Sequence, residues 1–206
     1  MTNEPPPPTY LQPYREALAR FGPGFEATLW QSRPMQAIRF DVAMGLLPLG
    51  DRRIADLGCG VGDLVDHLRE RNQAPAAFLG VDAQAEMIRE AESRQGGPDV
   101  TFVAADLVES LETVRGWQPE VCVISGTLNT MSERTAWRLV REVFACASIG
   151  VVFNFLSDRP HPKWRGKDLR PAKRFRTEWW LRRSLGLTSR VGFRQDYLDG
   201  HDATIA

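Results

Sequence analysis

A glycine-rich turn with acids on both sides is the segment of this chain whose residue types and spacing are best suited to chemistry. Residues 54–63 read I-A-D-L-G-C-G-V-G-D, so an apolar run leads into glycines at alternate positions. Glycine lets the backbone turn sharply and lets a ligand approach its amides closely. Asp56 lies at the end of a predicted strand, and Asp63 lies in the first turn of a predicted helix. Two carboxylates beside the turn repel a pyrophosphate and suit a ligand that carries cationic groups.

The spacing of these glycines separates the turn from two common phosphate-binding loops. A dinucleotide fingerprint reads G-x-G-x-x-G, whereas Gly58, Gly60 and Gly62 give G-x-G-x-G. No G-K-[ST] follows, which excludes a P-loop. The glycine spacing and Asp63 therefore disfavour a nicotinamide oxidoreductase, which is the competitor at the level of the fold. The sequence predicts a nucleoside cofactor without phosphates.

This arrangement resembles motif I of the class I S-adenosylmethionine (SAM) dependent methyltransferases. The family also places an acid at the end of its second strand, and Asp82, followed by Ala83, stands 20 residues beyond Gly62. The resemblance implies that this carboxylate accepts hydrogen bonds from both ribose hydroxyls. It also implies that Asp106, followed by Leu107, meets the adenine amino group. SAM is thus the expected cofactor, and S-adenosylhomocysteine (SAH) is the expected product.

Two further segments extend the resemblance. Ser125 and Gly126, after the fourth predicted strand, match the family segment that lies along the methionine part of the cofactor. Gln36 and Arg39 lie on one helix face, in a stretch similar to the lead-in helix of one small-molecule subgroup. The resemblance implies that Arg39 pairs bidentately with the cofactor carboxylate, the alternative being a surface pair on an amphipathic helix. The predicted cofactor-binding residues are Gln36, Arg39, Asp56, Gly58, Gly60, Asp82, Ala83, Asp106, Leu107, Ser125 and Gly126.

Short apolar runs alternate with helical windows along the rest of the chain, and these elements must position the site. The predicted strands are Arg53–Leu57, Ala77–Asp82, Val100–Ala105, Val121–Ser125, Gly150–Leu156, Ser189–Tyr197 and Ala203–Ala206. The predicted helices are Asp63–Arg71, Gln84–Arg94, Ser132–Ala147 and Thr177–Leu185, with Ser132 and Thr177 as N-caps and Gly186 as a C-cap. Such alternation predicts right-handed crossovers and a mainly parallel sheet covered on both faces. The expected fold class is α/β: a doubly wound, mostly parallel seven-stranded sheet with a terminal antiparallel hairpin, preceded by N-terminal cap helices.

The length of 206 residues suits one domain. Residues 1–9 are predicted to form a disordered leader, and residues 10–206 a single SAM-dependent methyltransferase domain. That domain divides into a helical lead-in over 10–49 and a Rossmann-like core over 50–206, which includes a basic loop at 157–176. The N-terminus does not resemble a signal peptide, and three scattered cysteines fit a reducing compartment. A cytoplasmic protein without a metal site or a membrane segment is therefore expected.

The acceptor is expected to enter at the segment that follows the fifth predicted strand. Ligands of open α/β sheets bind outside the carboxyl ends of the strands, where this segment starts. Asn154 and Trp164 are the candidate acceptor-binding residues, and His161 is the candidate general base, although a structural or solvated role is the alternative for a lone loop histidine. A base is needed only when the nucleophile arrives protonated. Otherwise positioning and desolvation supply much of the rate of an in-line displacement at a sulfonium methyl.

The formal net charge of zero conceals two regions of opposite sign. Residues 1–157 carry a charge of −6, and residues 158–206 carry +6. The basic residues allow three interpretations: a solvated loop, attraction of an anionic small molecule, or a grip on single-stranded RNA that uses the interleaved tryptophans. The zero overall charge disfavours RNA.

The sequence as a whole predicts a methyltransferase that transfers the methyl group of SAM to a small-molecule acceptor. The alternatives are an RNA methyltransferase that uses the basic C-terminal quarter, and a non-catalytic SAM-binding protein. The segment after the fourth predicted strand lacks the Asn-Pro-Pro-Tyr type motif of enzymes that act on exocyclic amines of DNA bases. The identity of the acceptor, its nucleophilic atom and the oligomeric state stay open.

Overall fold

The computed structural model describes residues 9–206, and the strands in that range form one seven-stranded sheet. They are β1 (Arg53–Leu57), β2 (Ala77–Asp82), β3 (Val100–Ala104), β4 (Val121–Ile124), β5 (Gly150–Leu156), β6 (Phe193–Arg194) and β7 (Asp202–Ile205). Their order across the sheet is β3-β2-β1-β4-β5-β7-β6. Neighbours from β3 to β5 pair in parallel, while β7 runs antiparallel to both β5 and β6. The predicted fold class is confirmed. The predicted leader lies outside the described residues apart from Thr9.

Helices precede the sheet and connect its parallel strands. They are α1 (Gln12–Phe21), α2 (Arg33–Leu46), α3 (Asp63–Glu70), α4 (Ala85–Gln95), α5 (Glu112–Trp117), α6 (Glu133–Phe144) and α7 (Thr177–Leu185). Ser132 caps α6 by accepting a hydrogen bond from the Thr135 amide at 3.1 Å, and Gly186 is the C-cap of α7, both as predicted. The N-cap of α7 is Arg176, so the prediction of Thr177 for that position is wrong by one residue. Within residues 9–206, no helix is long and apolar enough to cross a membrane.

The last hairpin departs furthest from the predicted strands. A strand over Ser189–Tyr197 was expected, but β6 keeps only Phe193 and Arg194 in ladder positions opposite β7. Both residues are exposed, because β6 is the edge of the sheet and buries neither face. The chain then leaves the ladder, and the Tyr197 hydroxyl lies 2.6 Å from that of Thr204 on β7. A short edge strand with little to bury gives a weak pairing register.

Apolar side chains of the central strands alternate between two cores, one on each face of the sheet. Ala55 and Leu57 of β1 face the core beneath α6 and α7, whereas Ile54 faces the core beneath α2, α3 and α4. This alternation follows from the two-residue period of a strand. Trp180 of α7 is fully buried in the first core and stacks on Phe175 with an interplanar angle of 8°. The sheet is therefore covered on both faces, as a doubly wound fold requires.

The basic loop 157–176 folds back onto the sheet edge. Phe175 bridges to Ser157 beside β5, and Arg174 donates to the Ser157 carbonyl at 2.6 Å and to the His201 carbonyl at 3.2 Å. The Trp164 ring lies against the His201 ring with centroids 4.0 Å apart. Arg174 thus ties the loop to the turn that precedes β7.

Candidate functional site

A cavity of about 650 Å³ lies at the carboxyl ends of the central strands, partly covered by α1. This first cavity sits where the strand order reverses between β1 and β4, which is the usual ligand-binding position in an open α/β sheet. The predicted cofactor residues that line it are Gly58, Asp82, Ala83, Asp106, Leu107, Ser125 and Gly126.

The glycine-rich turn reaches the first cavity in a conformation that needs glycine. Gly58, Gly60 and Gly62 have φ values of 86°, 55° and 80°, in the left-handed region that side chains disfavour. A Cβ at Gly58 would stand 2.1 Å from the Thr127 hydroxyl oxygen, so the turn packs directly against the segment after β4. Gly60 lies behind the cavity surface, where its amide donates to Asp82. The turn therefore shapes the cavity and holds the acid at the end of β2.

Asp82 accepts two backbone hydrogen bonds and still faces the first cavity. Its Oδ2 accepts from the Gly60 amide at 3.0 Å, and its Oδ1 accepts from the Gln84 amide at 2.9 Å. Burial raises the pKa of Asp82, and these two amides oppose the shift. A carboxylate has about four lone-pair sites, so two fixed amides leave room for two hydroxyl donors.

Asp56 lies buried behind the turn and does not line either cavity described in this section. Burial, together with the nearby charges of Asp82 and Asp63, raises its pKa to about 8. Asp56 is therefore largely protonated near neutral pH and does not supply the negative charge that the sequence predicts for it beside the turn.

Two tyrosines of the N-terminal segment cover the first cavity, and sequence reasoning missed both. The Tyr10 hydroxyl donates to the Asp106 carboxylate at 2.6 Å, and the Tyr14 hydroxyl donates to the Gly126 carbonyl at 3.1 Å. Burial raises the pKa of Tyr14 to about 12, so it stays protonated near neutral pH. Tyr14 falls at helical spacing with Leu11 and Leu18, and this spacing gives no sign of a contact with the loop after β4.

A second cavity, of about 1030 Å³, adjoins the first and opens beside the basic loop. Tyr14, Thr28, Trp30 and Gly126 line both cavities and form a shared wall. The two spaces are thus placed for two ligands that meet across this wall.

Asn154 lines the second cavity and holds the segment after β4 in place. Its Nδ2 donates to the Ser125 hydroxyl at 2.9 Å, and its Oδ1 accepts from the Gly126 amide at 3.0 Å. Asn154 is only 4% exposed, so both hydrogen bonds are shielded from water. Asn154 therefore fixes the shared wall from the side of the second cavity.

Gln36 and Arg39 are buried but are already paired within the protein. Gln36 donates to Asp63 at 3.1 Å. Arg39 donates two hydrogen bonds to Asp202, from Nε at 2.7 Å and from Nη2 at 2.6 Å. Its Cζ lies 4.7 Å from the centroid of the Trp30 ring. Arg39 lines the second cavity, not the first, so the structure corrects the implied pairing with a cofactor carboxylate. The physical reason is that β7 brings Asp202 to Nε and Nη2 of the guanidinium, while Nη1 donates to the Met35 carbonyl at 2.9 Å, so all three nitrogens are engaged within the protein.

The structure also corrects the predicted role of His161. This side chain is exposed, and its Nδ1 accepts from the Lys163 amide at 3.3 Å at the start of a short helical turn. It lines neither cavity. Trp164 does not line either cavity. It packs against His201, which lines the second cavity. His201 lies 47 residues beyond Asn154, in the turn that precedes β7, so no local spacing in the sequence connects it with this cavity.

The comparisons relate the central part of this chain to a known domain family. Residues 54–150, just under half of the chain, match a family model described as a methyltransferase domain. The sheet order and the position of the first cavity agree with that match. The chain has the α/β fold that solved methyltransferases share.

Particular proteins resemble the chain over different extents. Trans-aconitate 2-methyltransferase of Escherichia coli O1:K1 / APEC is 45% identical over 67 residues, which span 32% of this chain and 23% of that protein. A solved DhpI–SAM–HEP complex matches with a TM-score of 0.65 at 19% identity, covering 96% of this chain and 94% of the other. The small RNA methyltransferase HEN1 matches with a TM-score of 0.63 at 14% identity, covering 84% of this chain and 25% of the other. At such identities the solved structures establish the shared fold alone.

Proposed function

We propose that this protein transfers the methyl group of SAM to a small-molecule acceptor. The observation that carries the proposal is the pair of adjoining cavities, of which the first is lined by the residues expected to hold SAM and the second is open to another molecule. The shared wall at Tyr14, Trp30 and Gly126 is then where the methyl group passes between them.

The residues of the first cavity fit SAM in charge and in shape. The Asp82 carboxylate has free lone pairs for ribose hydroxyls, and we assign the adenine to the part of the cavity beside the Asp106 carboxylate, which accepts from Tyr10 and from the Val108 amide. The acids Asp82 and Asp106 in the cavity wall suit the positive charge of a sulfonium ligand and oppose a pyrophosphate. Any Cβ at Gly58 would displace Thr127 from the cavity wall.

The residues of the second cavity act by positioning and by excluding water. When bound, SAM supplies an electrophilic methyl group on sulfur and leaves as a neutral thioether. Tyr14 and Asn154 hold the Gly126 backbone that separates the two cavities. An acceptor fixed across this wall gains rate from orientation and from removal of its hydration shell.

The ion pairs of the basic loop favour a small acceptor over RNA. Arg170 pairs with Asp168, Arg176 pairs with Glu133, and Lys163 pairs with Asp199. Trp180 is fully buried, so it offers no platform for a base. An RNA-binding face needs free cations and exposed rings, and several of the candidate groups are used internally.

Calorimetric titration with SAM, SAH and NADH tests the proposal. We expect SAM and SAH to bind and NADH not to bind. Asp82→Ala should weaken SAH binding at least tenfold, because the ribose contacts are lost, whereas Asp99→Ala, at an exposed position, should leave it unchanged. Failure of SAM and SAH to bind at millimolar concentration would overturn the proposal. Binding without any methylated product from small acceptors or RNA would leave a SAM-binding protein in its place.

A further inference from the structure

His201 is a buried histidine whose ring is fixed on two sides. Its Nδ1 lies 3.1 Å from Nη2 of Arg174, and its ring lies 4.0 Å from that of Trp164 between centroids. A guanidinium can only donate, so Nδ1 must accept and the ring proton must lie on Nε2. Within residues 9–206, Nε2 makes no hydrogen bond of its own, although the ring lines the second cavity. His201 therefore presents an N–H donor to a ligand there.

The charges around this ring keep it neutral. Burial, together with the positive charges of Arg174, Arg39 and Lys167, lowers the pKa of His201 to about 4. Asp202, the next residue in the chain, is committed to Arg39. A ring that is neutral at pH 7, with Nδ1 occupied, is a hydrogen-bond donor and not a base.

The fixed charges that line the second cavity cancel. Arg39 is paired with Asp202, and Arg170 is paired with Asp168. The Nε2–H of His201 is thus a neutral donor, and the positive charges of Arg174 and Lys167 act on the same ring. One neutral donor near these charges suits a ligand group with a single negative charge, such as a carboxylate.

We propose that the second cavity binds a carboxylate group of the acceptor through the Nε2–H of His201. Arg174 acts through His201 as a positioning residue, because it fixes which ring nitrogen carries the proton. The inference rests on the proposed function for the role of the neighbouring first cavity, and it names the chemical class of the acceptor.

Titration of the SAH-loaded protein with acetate, followed by ¹⁵N NMR, tests the carboxylate site. At constant ionic strength we expect saturable shifts of His201 Nε2–H and of the Gly126 amide with acetate, and none with acetamide. Acetate shifts no larger than those of acetamide would overturn the inference, as would stronger binding of phosphate than of acetate. SAH binding is read in the same sample, so its absence refutes the proposed function and not the carboxylate site alone.

A pair of matched substitutions separates the His201 donor from the fold. His201→Phe should raise the half-saturating acetate concentration about tenfold or more, read at the Gly126 amide. His161→Phe, at an exposed position of the basic loop, should leave it unchanged. Equal effects of His201→Phe and His161→Phe would contradict the assignment.

The role of Arg174 has a readout that a merely structural contact would not move. Arg174→Met should allow the His201 proton to exchange between the two ring nitrogens, which changes the ¹⁵N pattern of the ring, and should raise its pKa. Arg174→Lys, which keeps the charge and a donor, should restore part of the wild-type pattern. An unchanged pattern in Arg174→Met would refute the positioning role, whatever the variant does to stability.

Discussion

At the scale of single residues, burial changes the pKa of an acid far from the value that the free side chain has. Asp56 is the clearest case, since it is buried beside Asp82 and Asp63, and its pKa rises to about 8. An unfolded chain ionises this group near its ordinary value of 3.8. Between those two pH values the native state binds more protons than the unfolded state, so stability falls as pH rises.

Asp56→Asn should remove this pH dependence. The wild-type free energy of unfolding should lose up to about 1.4 kcal/mol per pH unit from Asp56 between pH ~4 and ~8, and the loss should level off above that. Urea denaturation of the apo protein at several pH values measures the difference between wild type and variant. Asp99→Asn, at an exposed position, should keep the wild-type slope. Parallel curves for wild type and Asp56→Asn would show that Asp56 is not titrating in this range.

At the scale of elements, the turn between β1 and α3 must lie against the segment after β4. Gly58 allows this contact because a Cβ there would overlap Thr127, and Gly126 allows the matching contact because a Cβ there would stand 2.3 Å from Trp30. Both glycines also have positive φ. The two cavities depend on these close approaches, so the elements and the site are specified together.

Gly58→Ala should lower the free energy of unfolding by about 1–3 kcal/mol and weaken SAH binding. The added methyl group strains the backbone and clashes with Thr127 in the cavity wall. Gly97→Ala is the matched control, since it has no positive φ and nothing within 4 Å of its added Cβ. That variant should change stability by less than about 0.5 kcal/mol. Urea denaturation and calorimetry report the two effects, and similar losses in both variants would contradict the contact.

At the scale of the whole molecule, a buried ion pair joins the lead-in helix α2 to the terminal strand β7. Arg39 and Asp202 have side chains exposed by 4% and 3%, and they are 163 residues apart. Removing one partner of such a pair leaves an uncompensated charge, whereas replacing both by apolar groups is often neutral.

Arg39→Met should therefore destabilise the protein by about 3–5 kcal/mol, and the double variant Arg39→Met/Asp202→Leu should recover most of the loss. Arg194→Met, which breaks an exposed pair with Asp196, should have little effect. SAH should bind the double variant as it binds wild type, because Arg39 lies outside the first cavity. Loss of SAH binding with retained stability would return Arg39 to the cofactor role that the sequence implied.

The sequence was sufficient to predict the parts of the fold and site that depend on neighbouring residues. Gly58 directly follows β1, Asp82 ends β2, and Asp106 lies two residues beyond β3, so the topology of a parallel sheet places them at one edge. Arg39 with Asp202 and His201 with Arg174 depend on how loops fold back over that edge. Their sequence separation carries no pattern, which is why the sequence indicates His161 of the loop and gives no sign of His201. The predicted strand Ser189–Tyr197 is longer than β6 for a related reason. Both faces of β6 are exposed, so no alternation of apolar and polar residues marks where the strand ends.

A crystal structure of the complex with SAH is the most direct test of the two-cavity arrangement. The account predicts the adenosine beside Asp82 and Asp106 in the first cavity, and the sulfur at the wall formed by Tyr14, Trp30 and Gly126, facing the second cavity. A sulfur atom directed away from that wall, or an adenosine bound in the second cavity, would contradict it.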